Sequence, residues 1–319
     1  MKTLLKILGI IVLTLIIMVI GVALFINFRG IPSYKIEMPA GLADLNVEIT
    51  PERVARGARI ASLTCVQCHR GADNKLSGNV LRDAPKQFGW IHSANITQHP
   101  TRGIGRYTDG QLMFLLRTSI KRDGKYAPPY MPGRSRVADE DLYSIIAWLR
   151  SDDPLVQPSD SIAPKPKPSF LTKMLCTFVF KPVPYPEKPV LVPDSTDVVA
   201  FGKYQANSLY DCFGCHSADF KTNNEQDPEK SVGFYGGGNP LLNLDGEIVR
   251  ANITMDKTGI AHYTKEDFIR TVKWGMKPDG TPVRYPMIPH TTMTDGEVGA
   301  IFEYLKTVPH QDHAFPRPR

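Results

Sequence analysis

The apolar residues of this chain fall into three patterns. The first is continuous: Ile7 to Ile26 runs twenty residues without a charge. At about 1.5 Å of rise per residue, a helix of that length crosses a bilayer core of about 30 Å. The second pattern is helical spacing. Leu142, Ile145, Ile146 and Leu149 stand at i, i+3, i+4 and i+7, and Val298, Ile301, Phe302 and Leu305 repeat that face 156 residues later. Asp139 and Thr294-Asp295 supply start signals for these two helices, and Thr294 and Glu297 are spaced as a capping box. Thr108 precedes Leu112, Leu115 and Leu116, and Thr264 precedes Phe268, Thr271 and Val272, which predicts two more. Val54 to Leu63 and Val199 to Leu209 read as a further pair. The third pattern is interruption: residues 154–193 hold ten prolines, a stiff, extended linker. Inside it Leu171, Met174, Leu175 and Phe178 return to helical spacing behind Ser169, a plausible cap. No run of alternating residues is long enough for a substantial sheet, so the fold predicted is all-α.

The predicted helices belong to two copies of one unit. Gly89-Trp90-Ile91-His92-Ser93-Ala94-Asn95-Ile96-Thr97 matches Gly246-Glu247-Ile248-Val249-Arg250-Ala251-Asn252-Ile253-Thr254 at an offset of 157, with six of nine positions identical. From Gly103 and Gly259 onward the offset is 156 and needs no further gap. It pairs Ile104 with Ile260, Tyr107-Thr108 with Tyr263-Thr264, Lys121 with Lys277, Asp123-Gly124 with Asp279-Gly280, and Met131 with Met287. The expected organisation is a membrane anchor (1–30), a linker (31–50), a first domain (51–153), the Pro-rich linker (154–193), a second domain (194–310) and a tail (311–319). A length of 319 residues accommodates two domains of ordinary size with these additions.

Each copy is headed by C-x-x-C-H: Cys65-Val66-Gln67-Cys68-His69 and Cys212-Phe213-Gly214-Cys215-His216. That spacing is a covalent haem-attachment signature. Two thiols on one short turn add across the vinyl groups of one porphyrin, and the adjacent histidine reaches the iron. Two covalently attached haem c groups are therefore expected. A single zinc held by both cysteine pairs leaves the histidines unexplained and needs ligands 144 positions apart (Cys68 to Cys212). A thioredoxin-like redox pair needs a strand-helix-strand context that neither motif has. The fifth cysteine, Cys176, has no partner once four thiols are bonded to haem, and it reads as a small buried hydrophobe.

An iron that shuttles electrons needs a second axial ligand, and methionine there raises the potential. Met131 and Met287 are nominated by the repeat. Both lie eight residues after the Asp of an Asp-Gly turn and eleven before the first apolar position of the last helix. Met113, Met276 and Met293 have no methionine at their counterparts. The rivals His92, His99, His262 and His290 would give low-potential bis-histidine haems, but none is duplicated. Asn95, Asn252, Tyr107 and Tyr263 are repeated polar residues that suit either a haem edge or a loop.

The formal charge of +6 conceals a division. Residues 51–153 carry 16 Lys and Arg against 10 Asp and Glu, and residues 194–310 carry 11 against 16, so the copies have net charges of +6 and −5. Two haems add about four propionate charges, which leaves no support for binding nucleic acid. Opposite charge on the copies suits either different docking partners or contact between them. Lys2 and Lys6 precede the apolar run and favour the cytoplasm, placing the residues beyond Arg29 on the periplasmic side of the inner membrane as a single-pass protein. The run is longer than a signal-peptide core and ends in Leu24-Phe25-Ile26-Asn27-Phe28-Arg29 rather than in small residues, so an uncleaved anchor is expected.

On these motifs, from about residue 50 to 310, the chain resembles the class I cytochrome c family in tandem. It is similar to the cytochrome subunits of membrane-bound alcohol, aldehyde and gluconate dehydrogenases. The resemblance implies electron relay from a periplasmic dehydrogenase to a quinone or an oxidase. The chain departs from that pattern twice: such subunits generally have three haem motifs, and their Met-Pro ligand sequence is kept at Met131-Pro132 but not at Met287-Ile288. The reading drawn is a membrane-anchored dihaem c-type cytochrome, an electron carrier and not an enzyme, passing single electrons between respiratory partners. Those partners would be a dehydrogenase, a quinol-oxidising complex, an oxidase or a soluble cytochrome. Two alternatives stay open: a dihaem peroxidase, which needs one open axial position, and an electron-transfer subunit of a membrane-bound dehydrogenase or oxidase complex.

Overall fold

A computed structural model describes residues 2–81, 86–127, 130–242, 248–249 and 251–313. Gly246, Glu247 and Arg250 of the repeat match, and residues 314–319 of the predicted tail, lie outside the described residues. The helices are α1 (Lys2–Arg29), α2 (Pro51–Thr64), α3 (Val66–His69), α4 (Asp109–Thr118), α5 (Asp139–Leu149), α6 (Phe170–Phe178), α7 (Val198–Tyr204), α8 (Cys212–His216), α9 (Lys265–Trp274) and α10 (Asp295–Leu305). Strand structure among the described residues amounts to two antiparallel pairs of two residues each, β1 (Gly89–Trp90) with β2 (Lys167–Pro168) and β3 (Leu241–Leu242) with β4 (Ile248–Val249). The all-α expectation holds.

α1 is long and apolar enough to cross a membrane. Thr50 caps α2 by accepting the Arg53 N–H at 3.3 Å, and Pro51 fills the first position, where its missing N–H costs nothing. Thr108 and Thr264 close capping boxes with Gln111 and Asp267 at the starts of α4 and α9, and Thr294 does so with Glu297 at α10. Ser169 caps α6 as expected, accepting the Thr172 N–H at 3.2 Å. The run 199–209 resolves into α7 followed by a π-helical turn over Gln205–Leu209. Asp139 does not cap α5. The cap position is Ala138, which has no side-chain oxygen to offer, and its N–H donates instead to the Tyr204 hydroxyl at 3.0 Å.

The chain divides into two compact units that interleave in sequence. One comprises Met1–Asn46, Cys68–Ser135 and Pro154–Tyr185, and the other Val47–Gln67, Arg136–Asp153 and Pro186–Arg319. In the first, Leu76, Ile91 and Ile120 are buried, as are Leu112 and Met113 of α4. α4 ends where Ser119 takes a left-handed conformation, φ 60°.

The second unit contains the pairs α2 with α5 and α7 with α10. Each pair crosses at a glycine. A Cβ on Gly57 would stand 1.9 Å from the Ser144 carbonyl oxygen, and one on Gly202 would stand 1.9 Å from that of Ala300, 156 residues after Ser144. Only glycine lets these backbones approach so closely. α9 packs on α10 over a core that includes Phe213, Phe234, Phe268, Met293 and Phe302. Opposite charges of the two copies meet here, where Arg59 lies 3.7 Å from Glu297 and where Arg136 interacts with Asp211, Glu225 and Asp227. Arg53 and Arg56 turn instead to Glu140 and Asp141 of their own copy.

Candidate haem-attachment sites

Each C-x-x-C-H sits on a single helical turn delivered by the helix before it. α2 ends at Cys65, whose N–H donates to the Ala61 carbonyl at 2.8 Å, and Val66 to His69 form α3. In the second copy Asp211 takes a left-handed conformation (φ 55°) between the π-helical turn and α8, which turns the chain before Cys212. A helical turn sets residues three apart on one face, so both sulfurs of a motif meet the same ligand edge.

The histidine rings are held alike. His69 is buried, and its Nδ1 donates to the Ala94 carbonyl at 2.8 Å, while His216 Nδ1 donates to the Ala251 carbonyl at 3.2 Å. A proton on Nδ1 leaves the Nε2 lone pair for a metal, the usual arrangement for an imidazole ligand. Burial pushes both pKa values below the ordinary histidine range, so the rings are neutral near pH 7, and His290 adds to this at His216. Sequence reasoning missed Ala94 and Ala251. The signal was present, since Ala-Asn-Ile-Thr is the longest identical run in the repeat.

The loops after the motifs are built on matching hydrogen bonds. The Gly78 N–H donates to the His69 carbonyl at 2.9 Å, and the Gly237 N–H to the His216 carbonyl at 2.8 Å. Both glycines have positive φ, 98° and 72°, and a Cβ on either would lie 2.5 Å from the segment carrying the histidine's acceptor, at Ser93 O and Ala251 C respectively. Asn95 Oδ1 accepts the backbone N–H of Thr97 at 2.9 Å and its hydroxyl at 2.7 Å, and Asn252 does the same for Thr254 at 2.9 and 2.8 Å. The Asn95 amide donates to the Ser159 and Ser161 carbonyls, and the Asn252 amide to the Gln311 carbonyl and the Thr258 hydroxyl. Of the two roles open to these asparagines, the loop role accounts for their polar atoms.

Met131 and Met287 are half-buried and lie in equivalent turns. Just after each, Arg134 N–H donates to the Leu116 carbonyl at 2.7 Å and His290 N–H to the Val272 carbonyl at 2.8 Å, bonds that match at the offset of 156. The Met131 carbonyl accepts the Ser119 hydroxyl at 2.9 Å. Met113 and Met293 are instead buried core residues at 1% and 3% exposure, and Met276 is exposed. Cys176 is fully buried, and burial raises its thiol to about 11. Among the rival histidines, His290 interacts electrostatically with His216, and its Nδ1 meets the Ile288 carbonyl at 2.6 Å.

These residues fit a covalently attached haem. All four motif thiols are free of disulfides. Cys212 is half-buried, and burial with the Asp211 carboxylate pushes its pKa up to about 12, while Cys215 beside it is exposed. An environment that disfavours thiolate suits neutral thioethers and resists a thiolate metal cage. Among the described residues no three His, Cys, Asp or Glu side chains gather as such a cage. The Arg136 guanidinium, held 5.2 Å above the Phe213 ring, sets a positive charge beside the second motif.

No family model matches the chain. Comparison with curated proteins finds relatives over most of the chain. The chain is 28% identical over 272 residues to the cytochrome c subunit of a quinone-dependent alcohol dehydrogenase from Gluconacetobacter polyoxogenes, covering 80% of this chain and 56% of the relative. It is 30% identical over 270 residues to the fructose dehydrogenase cytochrome subunit of Gluconobacter japonicus, covering 80% and 52%. To the gluconate 2-dehydrogenase cytochrome c subunit of Pantoea cypripedii it is 27% identical over 274 residues, covering 81% and 60%. The chain thus spans little more than half the length of these relatives, and its similarity is to cytochrome subunits of dehydrogenases.

Proposed function

We propose that this chain is the electron-carrying cytochrome subunit of a membrane-bound dehydrogenase, with one haem c on each copy of its repeat. The observation that carries this reading is the duplicated histidine anchor, His69 on Ala94 and His216 on Ala251, in two copies whose later methionines, Met131 and Met287, lie in equivalent turns. Cys65, Cys68, His69 and Met131 would hold the first haem, and Cys212, Cys215, His216 and Met287 the second. The two copies are then tandem class I cytochrome c domains, 51–153 and 194–310, joined by the Pro-rich segment 154–193.

Bound haem supplies an iron that cycles between ferrous and ferric states. The residues of the chain set its orientation and surroundings. Two cysteines would hold each haem covalently, and the histidine Nδ1–H bonds fix the imidazole planes. Buried His69 would hold the first haem iron out of water, and the Met131 and Met287 thioethers, as further ligands, would exclude substrate and favour the ferrous state. No proton or group transfer is asked of any side chain, so the role is carriage and not bond chemistry.

The similarity to dehydrogenase subunits moves the reading from a free-standing relay to a member of a complex. The donor would be a partner subunit that oxidises an alcohol or sugar-like substrate, and the acceptor a membrane quinone or an oxidase. α1 would fix the chain in the inner membrane with both haems in the periplasm. The test is purification of the full chain from membranes in mild detergent. A dehydrogenase subunit should co-purify, and its substrate should reduce both haems. A chain that purifies alone, with haems no such substrate reduces in intact membranes, would overturn the proposal.

A further inference from the structure

The Pro-rich linker contains a helix that faces outward with the wrong chemistry for water. At about 100° per residue, Phe170, Met174, Phe178, Leu171 and Leu175 of α6 share one sector, while Thr172 and Cys176 occupy the opposite side. The buried residues are Thr172 and Cys176. Phe170 is 43% exposed, Phe178 61% and the adjoining Val179 61%. An amphipathic surface helix ordinarily buries its apolar face, and this one presents much of it outward.

The membrane-crossing helix stands beside that face. α6 packs on α1, and Lys173 Nζ donates to the Asn27 carbonyl at 3.2 Å and to its side-chain oxygen at 2.8 Å. Asn27 is two residues from the end of the apolar helix. Ile26, one residue earlier, is 2% exposed, whereas Phe28 is 82% exposed. The apolar stretch from Ile7 to Phe28 spans about 33 Å at 1.5 Å per residue, roughly the hydrocarbon thickness, so Asn27 falls at the level where α1 leaves the lipid. α6 is therefore held at the headgroup boundary. The same end is also fixed to this unit: the Thr172 hydroxyl donates to the Phe88 carbonyl at 2.8 Å, and β2, just before α6, pairs with β1, whose Trp90 is 38% exposed. Residues 163–181 carry four lysines (Lys165, Lys167, Lys173 and Lys181) and no acidic residue.

We propose that α6 is an interfacial helix: Phe170, Phe178 and Val179 enter the acyl boundary of the same bilayer that α1 crosses, and the flanking lysines meet lipid phosphates. Aromatic side chains with lysine flanks are the composition that settles at that depth. α1 alone would leave the first unit free to swivel on one strand of chain. α6 adds a second contact and fixes the orientation of that unit toward the membrane.

The inference rests on α1 being membrane-spanning, and the experiment separates the two. Cys176 is replaced (Cys176→Ala), so that an introduced cysteine is the one free thiol on the haem-loaded full chain. A nitroxide is then attached at Phe178→Cys, at Ile16→Cys in the middle of α1, or at Leu191→Cys, a 78% exposed residue of the second unit. The labelled proteins are placed in phosphatidylethanolamine–phosphatidylglycerol vesicles. Collision with oxygen, which concentrates in lipid, is compared with collision with a water-soluble nickel chelate. The proposal expects the oxygen-to-nickel ratio at 178 to exceed that at 191 by about tenfold and to approach that at 16. A lipid-exposed label at 16 with a label at 178 as open to nickel as that at 191 overturns the interfacial helix and leaves the anchor intact. Shielding of 178 from both reagents would show a protein contact there, such as a second copy, and also overturns it. A label at 16 open to nickel overturns the anchor itself.

Discussion

The Tyr204 hydroxyl donates to the buried carboxylate of Asp141, although the two residues belong to different copies of the repeat. Arg56 pairs with the other carboxylate oxygen, and the same Tyr204 hydroxyl accepts the Ala138 N–H that opens α5. A side chain of the second copy therefore takes the cap residue's N–H at α5, as the Glu297 carboxylate takes that of Thr294 at α10. Burial, with the Asp141 charge, pushes the Tyr204 pKa well above the ordinary tyrosine range, so it remains a donor at any physiological pH.

Tyr204→Phe removes one partner from Asp141 and the acceptor from Ala138. A buried group left unsatisfied costs about 1–3 kcal/mol, so the unfolding free energy of the second unit should fall by that amount while haem content stays the same. The double variant Tyr204→Phe/Asp141→Asn should cost less than the sum of the single changes, which denaturant titration of the four proteins measures.

Such a contact could not be read from the repeat, because the repeat compares copies and is silent on what joins them. Helices were legible wherever a cap and an apolar face coincide: α5 and α10 sit 156 residues apart as the spacing of Leu142 and Val298 requires. Asp139 stands where its start signal put it, as the first residue of α5, but nothing in Ala138 before it showed that a tyrosine of the other copy would take its N–H. The π-helical turn at Gln205–Leu209 was illegible for a similar reason. It positions Asn207 to donate to the Tyr304 hydroxyl at 2.9 Å and to accept from Tyr235 at 2.6 Å, partners 97 and 28 residues away. Of the candidate sites, the cysteines, histidines and methionines are marked by motif and offset, whereas the carbonyls of Ala94 and Ala251 have no side-chain signature.

The methionine assignment makes a paired prediction. Met131→Ala and Met287→Ala should each lower the potential of one haem, abolish its sulfur-to-iron charge-transfer band and open that iron to carbon monoxide. Met293→Ala should leave both potentials alone and instead cost about 2–5 kcal/mol, because its side chain is 3% exposed within the core of the second unit. A loss of the second haem's ligand field on His290→Ala, with Met287→Ala silent, would make that iron bis-histidine.

A pH dependence arises from Asp73, four residues after His69. Burial pushes its pKa up, but the hydroxyls of Ser159, Ser77 and Ser161 and the Lys75 N–H outweigh that and bring it down to about 2. A carboxyl with a depressed folded value stabilises the fold above its unfolded pKa of about 3.9 and loses that contribution as pH falls toward 2. Asp73→Asn should therefore lower the thermal midpoint at pH 6 and make no difference near pH 2. Equal shifts at both pH values would show that the hydroxyl contacts, and not the charge, carry the effect.

The central claim is that each copy of the repeat carries its own covalent haem, and pyridine-haemochrome absorbance per mole of chain tests it most directly. The account predicts two haems in the intact protein, and one each in the Cys65→Ala/Cys68→Ala and Cys212→Ala/Cys215→Ala variants. A single haem in the intact chain, or two haems surviving the loss of either motif, would contradict it.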